Sequence, residues 1–254
     1  MSLIVSIIPC LNDNYSYICH DNSGCAFVVD PSEYKPVNDF LEKNNLDLKY
    51  ILNTHHHFDH VGGNLELKNK FNAKIVGSEL DKERIPGIDL LLSNGDIFKC
   101  NNYEASIIHI PGHTLGHIAF YFKEQEIVFT GDTLFSMGCG RLFEGTPEMM
   151  WNSLNKLKNL PDNTSVYCGH EYTLNNAKFI NSINTNKDIA DKIEKLEALS
   201  KTNTPSIPTT ILEEKNLNIF FQADNQTIKN KLHLSEKTDT EVFGHLRELK
   251  DNFK

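Results

Sequence analysis

The stretch NTHHHFDHVGGN, residues 53–64, constrains this chain more than any other feature of its sequence. It places four histidines and one aspartate within six consecutive positions, directly after the apolar run KYIL. In an extended segment alternate side chains point the same way, so His55, His57 and Asp59 converge while His56 points to the opposite face. Such a group is costly to bury without a cation, so the pattern predicts a metal site.

The two glycines that follow, Gly62 and Gly63, predict a turn into a helix, which returns His60 to the same point. His56 and Phe58 are then left to packing or support. The isolated histidines elsewhere are interpreted as core or surface side chains: His20, His109, His117, His233 and His245.

Three later positions repeat one local design, in which an apolar run ends in glycine and a ligand-type residue follows. The runs are SIIHIPG before His113, EIVFTG before Asp132 and SVYCG before His170. Glycine permits the sharp turn that lifts the next side chain off the strand end. Loops beyond strand ends are where α/β architectures place sites, so these residues are predicted to join the first group.

The number of ligand candidates decides between one metal ion and two. A catalytic zinc takes about three protein ligands and keeps one position for water, whereas this chain offers seven candidates. We therefore predict two divalent ions roughly 3.5–4 Å apart that share a hydroxide. The predicted division gives one ion His55, His57 and His113, gives the other Asp59, His60 and His170, and makes Asp132 the bridge.

Short β-branched runs closed by turn residues make residues 1–172 rich in predicted strands. Helices are predicted between them at 35–44, 60–70 and 147–159, the last with Thr146 as its N-cap and proline at its first position. Strands interleaved with helices predict an α+β or α/β sandwich with helices outside.

Residues 173–254 have a different character, because their apolar spacing is helical. Thr210 is a predicted N-cap, and Glu213 follows at the spacing of a capping box. We therefore predict two domains, a catalytic domain at 1–172 and a helical domain at 173–254.

Charge and cysteine usage restrict the partners. The chain carries 25 basic and 34 acidic residues, a net charge of -9, which argues against nucleic acid as a general partner. Its six cysteines are scattered, as expected of reduced thiols in a cytosol. The first residues lack a basic n-region and their apolar run is too short for a span, so we predict a cytoplasmic protein without a membrane partner. A monomer is the default expectation for its oligomeric state.

The pattern H-x-H-x-D-H followed by separated His, Asp and His resembles the metallo-β-lactamase superfamily. Within it the stretches THHHFDHVGGN, PGHTLGH, FTGDTLF, GCGRLFEGT and YCGHEYT resemble glyoxalase II, the hydroxyacylglutathione hydrolases. NDNYSYI, VVDP, PSIPTTILEEKNLNIFF and LRELKDNF match in the same order, so the resemblance covers almost the whole chain. It implies an α+β fold, the metallo-β-lactamase αββα sandwich with a C-terminal α-helical domain that binds substrate.

The resemblance also implies a function, the hydrolysis of S-(2-hydroxyacyl)glutathione thioesters. The typical substrate is S-D-lactoylglutathione, which yields glutathione and D-lactate in the second step of methylglyoxal detoxification. The nitrogen and oxygen ligands fit two ions of zinc, and equally iron or manganese. Our hypothesis assigns catalysis to Asp59 and Asp132 with the bridging hydroxide, which attacks the thioester carbonyl.

Glutathione contacts follow from the same resemblance. The residues it assigns to them are Arg141, Tyr172, Arg247 and Lys250. An Arg and a Lys three apart near a helix end are also typical of a solvated face, so this assignment depends on the resemblance. Phe143 is also assigned to the substrate site, at a position where many relatives have Tyr, and residues 218–222, NIFFQ, depart from the family's N-P-F-x-R.

Asp30, in FVVDP, has two interpretations. It is either a turn former before proline or a carboxylate that orients the histidine loop, residues 55–60. Cys139 and Cys168 neighbour the predicted site in sequence and are predicted to be buried structural thiols.

Three other functions remain open at this level. A mononuclear iron dioxygenase of glutathione persulfide would keep His55, His113 and Asp132 as ligands. Another hydrolase of this fold is the second alternative. A metal-storing protein would bind ions without turnover.

Overall fold

The computed structural model describes residues 3–100 and 102–253, and Met1, Ser2, Asn101 and Lys254 lie outside this description. The chain divides into two units. Unit 1 comprises residues 1–109 and 116–131, and unit 2 comprises residues 110–115 and 132–254.

The first sheet of unit 1 has six strands in sequential order. The first three strands are antiparallel and the rest are parallel, with helices in two of the parallel connections. Parallel strands whose two faces are both covered have continuous apolar sequences. Runs of this kind were predicted as strands from the sequence. The strands are β1 Ile4–Cys10, β2 Asn14–His20, β3 Cys25–Val29, β4 Asp47–Leu52, β5 Lys74–Ser78 and β6 Leu90–Leu92.

Four more strands of unit 1 pair antiparallel in the order β10-β9-β8-β7. Aromatic rings join them to the first sheet, because Phe27 stacks on Phe122 at 5.2 Å and Tyr17 lies 5.3 Å from Phe129. Unit 1 is therefore a two-sheet sandwich with an apolar interior. These strands are β7 Ile97–Cys100, β8 Tyr103–His109, β9 Ile118–Phe122 and β10 Ile127–Gly131.

The helices of unit 1 are α1 Tyr34–Lys43, α2 Phe58–Val61 and α3 Asn64–Phe71. The single helix predicted at 60–70 is wrong, since the chain forms two helices with Gly62 and Gly63 between them. A Cβ on Gly62 would collide with the backbone oxygen of Ser32, and one on Gly63 would lie 3.0 Å from that of Pro31. The glycines thus let this turn lie against the loop after β3.

Unit 2 holds two strand pairs and the remaining helices. The strand pairs are β11 Leu134–Phe135 with β12 Gly138–Cys139, and β13 Ser165–Cys168 with β14 Thr209–Thr210. The helices are α4 Pro147–Lys158, α5 Thr173–Ile183, α6 Lys187–Lys201, α7 Ile211–Leu217, α8 Gln226–Lys231 and α9 Asp239–Asp251. In the part of the chain that is described, no helix is long and apolar enough to cross a membrane.

Helix starts in unit 2 follow the predicted caps. Thr146 Oγ1 accepts from Met149 N at 3.3 Å, and Thr210 Oγ1 accepts from Glu213 N at 3.1 Å. The predicted reciprocal bond of the capping box is replaced, because the Glu213 carboxylate accepts from Lys192 Nζ at 2.7 Å. A complete capping box opens α9 instead.

Candidate metal centre

Four imidazole rings of unit 1 lie together, three from the loop after β4 and one from a later segment. His55 is fully buried, and its ring centroid lies 4.7 Å from that of His57 and 4.2 Å from that of His60. Because α2 begins at Phe58, the chain turns and returns His60 to this point, as predicted. The fourth ring, His117, stacks on His55 at 4.6 Å and 15°. This contact was not predicted, since no local pattern distinguishes His117 from an ordinary core histidine.

Asp30 sets the orientation of His60. Its backbone φ of 48° lies in the left-handed region. Its carboxylate accepts from Thr54 N (2.8 Å), Thr54 Oγ1 (2.7 Å) and His60 Nδ1–H (3.0 Å). Since Nδ1 carries the proton, His60 offers Nε2 to a metal. Of the two interpretations of Asp30, these contacts support the carboxylate that orients the histidine loop.

Asp59 is held by a side chain that sequence reasoning missed. Asn14 Nδ2 donates to Asp59 Oδ2 at 3.0 Å and to Asp59 O at 3.2 Å. The same Oδ2 lies 3.7 Å from His60 Nε2. A carboxylate oxygen and an imidazole nitrogen this close, each directed by another polar partner, make a ligand pair suited to a divalent ion.

His56 belongs to no candidate ligand group of the described residues, although its ring centroid lies 4.9 Å from that of His57. Its Nδ1 is 3.4 Å from Asp81 Oδ2, and the fully buried Asp81 also pairs with Arg84 at 2.5 Å. Position 116 is glycine because a Cβ there would collide with the Asp81 carboxylate. His56 therefore ties the histidine loop to the short helical turn Glu79–Asp81.

In unit 2 the Asp132 carboxylate lies between two histidines. Its Oδ2 is 3.5 Å from His113 Nε2 and 3.3 Å from His170 Nε2, and none of the three residues is more than 6% exposed. A carboxylate oxygen that faces two imidazole nitrogens is a ligand set suited to a divalent ion. The structure thus brings together three ligand candidates predicted from separate strand ends.

The direction of the His113 ring is fixed by backbone. His113 Nδ1–H donates to the carbonyl oxygen of Arg141 at 2.9 Å, so its Nε2 is the nitrogen available as a ligand. Gly112 has a φ of 151°, and a Cβ there would lie 2.8 Å from a side-chain carbon of α4. A Cβ on Gly140 would collide with the carbonyl oxygen of Asp132. Glycine is therefore required at both positions, Gly112 beside His113 and Gly140 against Asp132.

Aromatic rings border the unit 2 ligands. Tyr172 stacks on His170 with ring centroids 4.7 Å apart and planes 5° apart, and Phe135 meets the same histidine at 5.8 Å. Phe143 is 62% exposed and its ring lies 5.2 Å from that of His113. Two of the predicted substrate residues, Tyr172 and Phe143, are thus placed against candidate ligand histidines.

Arg141, Arg247 and Lys250, here termed the cationic group, also lie in unit 2. Arg247 is 5% exposed, and its guanidinium donates to Cys139 O at 2.7 Å and to Asp251 Oδ1 at 3.0 Å. The Arg141 side chain is 67% exposed, with Nε 3.7 Å from the same Asp251 oxygen. Arg247 is therefore already bonded within the fold, whereas Arg141 is accessible.

Lys250 is half-buried on an aromatic surface. Its Nζ donates to Asn175 Oδ1 and lies 5.6 Å from the Phe179 ring centroid and 5.4 Å from that of Phe253. Desolvation on burial, followed by the two neighbouring guanidinium groups, lowers the pKa of Lys250 to about 8. A nearby anion would oppose this shift.

The cysteines near the centre are structural. Cys139 and Cys168 are buried, as predicted. Burial raises the pKa of Cys139 to about 11 and that of Cys168 to about 12, so both are thiols at neutral pH.

Comparison with known proteins identifies the family. Residues 9–170 match the Metallo-beta-lactamase superfamily, and residues 171–253 match the Hydroxyacylglutathione hydrolase C-terminus. The chain is 52% identical over 251 residues to the hydroxyacylglutathione hydrolase of Pelagibacter ubique (strain HTCC1062), covering 98% of this chain and 99% of that protein. The chain belongs to the hydroxyacylglutathione hydrolase family. The predicted resemblance to glyoxalase II is confirmed.

Solved structures support the fold. ETHE1 from Myxococcus xanthus superposes with a TM-score of 0.69 at 23% identity, covering 100% of this chain and 96% of that chain, which shows the fold alone. TTHA1623 in a di-iron-bound form matches with a TM-score of 0.56 at 29% identity, over 66% of this chain and 91% of that chain. The predicted α+β class, a metallo-β-lactamase αββα sandwich with a helical C-terminal region, is confirmed.

Residues 218–222 differ from the N-P-F-x-R pattern of the hydroxyacylglutathione hydrolase family. In residues 218–222, Asn218 Nδ2 donates to Gly138 O at 3.1 Å, and Phe220 and Phe221 are fully buried. The segment therefore packs within unit 2 without the family's Pro and Arg.

Among the described residues, no metal-ligand group includes His20, His109, His233 or His245.

Proposed function

We propose that this protein hydrolyses S-(2-hydroxyacyl)glutathione thioesters, with S-D-lactoylglutathione and water giving glutathione and D-lactate. The observation that carries the proposal is the Asp132 carboxylate between two buried histidines, in a chain that matches a hydroxyacylglutathione hydrolase over nearly its full length. The reaction is the second step of methylglyoxal detoxification.

The proposed centre holds two divalent ions. We assign His55, His57 and His113 to one ion, Asp59, His60 and His170 to the other, and Asp132 to both. The histidine loop of unit 1 and the Asp132 group of unit 2 support this division, each from its own geometry. Zinc is proposed first, and iron or manganese fits the same ligands, as the di-iron form of TTHA1623 illustrates.

When bound, the two ions supply a hydroxide at neutral pH and polarise the thioester carbonyl. The chain's own residues prepare for this chemistry. Asp59 and Asp132 are the proposed catalytic carboxylates, and Asp30 keeps the proton of His60 on Nδ1. No general acid is assigned, because a thiolate with a pKa of ~8.5 leaves without prior protonation.

We propose that the cationic group binds the carboxylate end of glutathione. A protein with a net charge of -9 needs local positive charge to attract an anionic substrate. Tyr172 would bond the peptide of glutathione. Phe143 lacks the hydroxyl of the Tyr found in many relatives, so that contact is absent here.

The remaining predictions concern organisation and setting. We propose a catalytic domain at 1–172 and a substrate-binding helical domain at 173–254, in a cytoplasmic monomer. Its partner is the small-molecule thioester, with neither nucleic acid nor membrane among its ligands. The net negative charge supports the exclusion of nucleic acid.

The test is loss of the thioester from S-D-lactoylglutathione by purified protein, compared with a chelated sample and one with metal restored. We expect metal-dependent turnover that Asp132→Ala abolishes together with metal binding. Asp162→Ala, which removes an exposed carboxylate of unit 2, should change neither. Full activity and metal content in Asp132→Ala would contradict the proposal.

The same experiment separates the alternatives. One iron per chain without thioester turnover, but with oxygen consumption on glutathione persulfide, would identify the dioxygenase. Loaded metal with neither activity would identify a metal-storing protein. The match of residues 171–253 to the Hydroxyacylglutathione hydrolase C-terminus favours the hydrolase over both.

A further inference from the structure

The cationic group already holds an anion from its own helix. Asp251 Oδ1 lies 3.0 Å from Arg247 Nη2 and 3.7 Å from Arg141 Nε, so two guanidinium groups share one carboxylate oxygen. This is the chemical group that terminates glutathione. The three cations of the group, Arg141, Arg247 and Lys250, outnumber Asp251, and the excess positive charge can be neutralised by a second carboxylate.

The two contacts of Asp251 differ in how firmly they are held. Arg247 is 5% exposed, sits one turn away in α9, donates to Cys139 O at 2.7 Å and lies 5.2 Å from the Phe220 ring. Arg141 is 67% exposed, and its 3.7 Å contact is a loose, solvated ion pair. A ligand can therefore take Arg141 from Asp251 while Arg247 stays in place.

Lys250 is half-buried beside the guanidinium groups of Arg247 and Arg141. Its pKa is lowered to about 8, first by desolvation and then by Arg247 and Arg141, while Asp251 acts in the opposite direction. An incoming carboxylate would add to the effect of Asp251 and favour the protonated amine. The cluster thus favours an anion that contacts both Arg141 and Lys250.

We propose that Asp251 is a specificity-determining residue, which occupies Arg141 in the substrate-free protein and is displaced from it by the carboxylate of an anionic thiol substrate. The inference rests on the proposed function. Asp251 competes with every anion for Arg141 and so weakens its binding. An anion that binds Arg141 alone gains too little free energy to displace Asp251. A carboxylate that also reaches Lys250 displaces Asp251. Asp251 and Lys250 together therefore select substrates by the position of their negative charge.

The test compares KM and kcat of wild type, Asp251→Asn and Glu248→Gln. The substrates are S-D-lactoylglutathione and S-D-lactoyl-N-acetylcysteamine, which has no carboxylate. Asp251→Asn is isosteric and its amide oxygen still accepts from Arg247, while Glu248→Gln removes the same charge from an exposed position of α9. We expect Asp251→Asn to lower KM for the glutathione thioester roughly two- to fivefold at unchanged kcat. The uncharged thioester and Glu248→Gln should show wild-type constants.

A higher KM in Asp251→Asn would mean that Asp251 only anchors Arg247, and would overturn the inference. An equal change with both thioesters, or in Glu248→Gln, would also overturn it. The proposed function fails separately, if wild type does not hydrolyse S-D-lactoylglutathione. Calorimetric titration with glutathione itself then decides the inference, since tighter binding to Asp251→Asn supports it and equal or weaker binding rejects it.

Discussion

At the scale of single residues, two of the proposed ligand histidines, His60 and His113, are oriented by hydrogen bonds from Nδ1. His60 Nδ1–H donates to Asp30, and His113 Nδ1–H donates to the Arg141 carbonyl. Each partner selects the tautomer whose Nε2 can bind an ion. The rings therefore need little reordering when the metal enters, which limits the entropy lost on binding.

Asp30→Asn tests this role. Asparagine tolerates the left-handed φ of 48° at this position, so the fold should persist. Its amide is a weaker acceptor for His60 Nδ1–H, and we expect metal affinity to fall about 10- to 100-fold. The measurement is metal retained per chain in competition with a chelator, with Asp39→Asn on the exposed face of α1 as the control. Unchanged metal retention would reject the orienting role.

At the scale of elements, the hairpin of β11 and β12 is fastened by side chains from the helical part of unit 2. Met137 adopts a φ of 57° within it. Backbone groups of residues 136–139 bond to Asn176, Glu214, Asn218 and Arg247. Because the hairpin connects Asp132 to Arg141, these helical contacts set the geometry of both ends.

Glu214 makes this fastening dependent on pH. Burial raises its pKa from 4.5 to about 7, although Thr209, Asn218 and the Met137 amide donate to it. A raised carboxyl pKa stabilises the fold fully below the unfolded value, and this contribution is lost as pH rises toward about 7. Glutamine does not titrate, so we expect the unfolding free energy of Glu214→Gln to decline less than that of wild type between about pH 4.5 and 7.

Urea unfolding of the chelated protein at several pH values measures this slope. Glu236→Gln, at an exposed position of the same unit, is the matched control and should follow wild type. Parallel curves for wild type and Glu214→Gln would show that Glu214 does not titrate in this range.

Local signals predicted the elements well, and contacts between distant segments account for the errors. The caps Thr146 and Thr210 were predictable because a cap bonds to an amide three residues away. The division of the predicted helix at 60–70 was not, because it depends on the backbone of Ser32 lying against Gly62. The two-residue strand Thr209–Thr210 pairs with β13 across more than 40 residues, and although threonine favours strands, a run this short does not predict one.

At the scale of the whole molecule, the order of motifs along the chain predicted the fold class and the family, because both are properties of many segments taken together. Burial of one predicted residue could not be read from the pattern. Arg247 looks like a surface cation at a helix end, yet it bonds to Cys139, 108 positions away in the sequence. Only the three-dimensional structure separates it from the accessible Arg141.

Metal removal should lower the stability of the entire chain. Ions that bind the native state alone stabilise it by about 2.7 kcal/mol when present at 100 times Kd. For a chain of this length we expect chelation to lower Tm by roughly 5–10 °C. Scanning calorimetry with and without metal measures the shift, and Asp132→Ala should show little or none. An equal Tm for loaded and chelated wild type would contradict this expectation.

The exposed ring of Phe143 has a consequence for how this enzyme family can diversify. The side chain touches a proposed ligand histidine yet contributes little to the interior, so its replacement leaves the fold intact. Such a position can vary between lineages, or under laboratory selection, without disturbing the inherited ligands. New acyl or thiol preferences would therefore first arise at this edge of the centre.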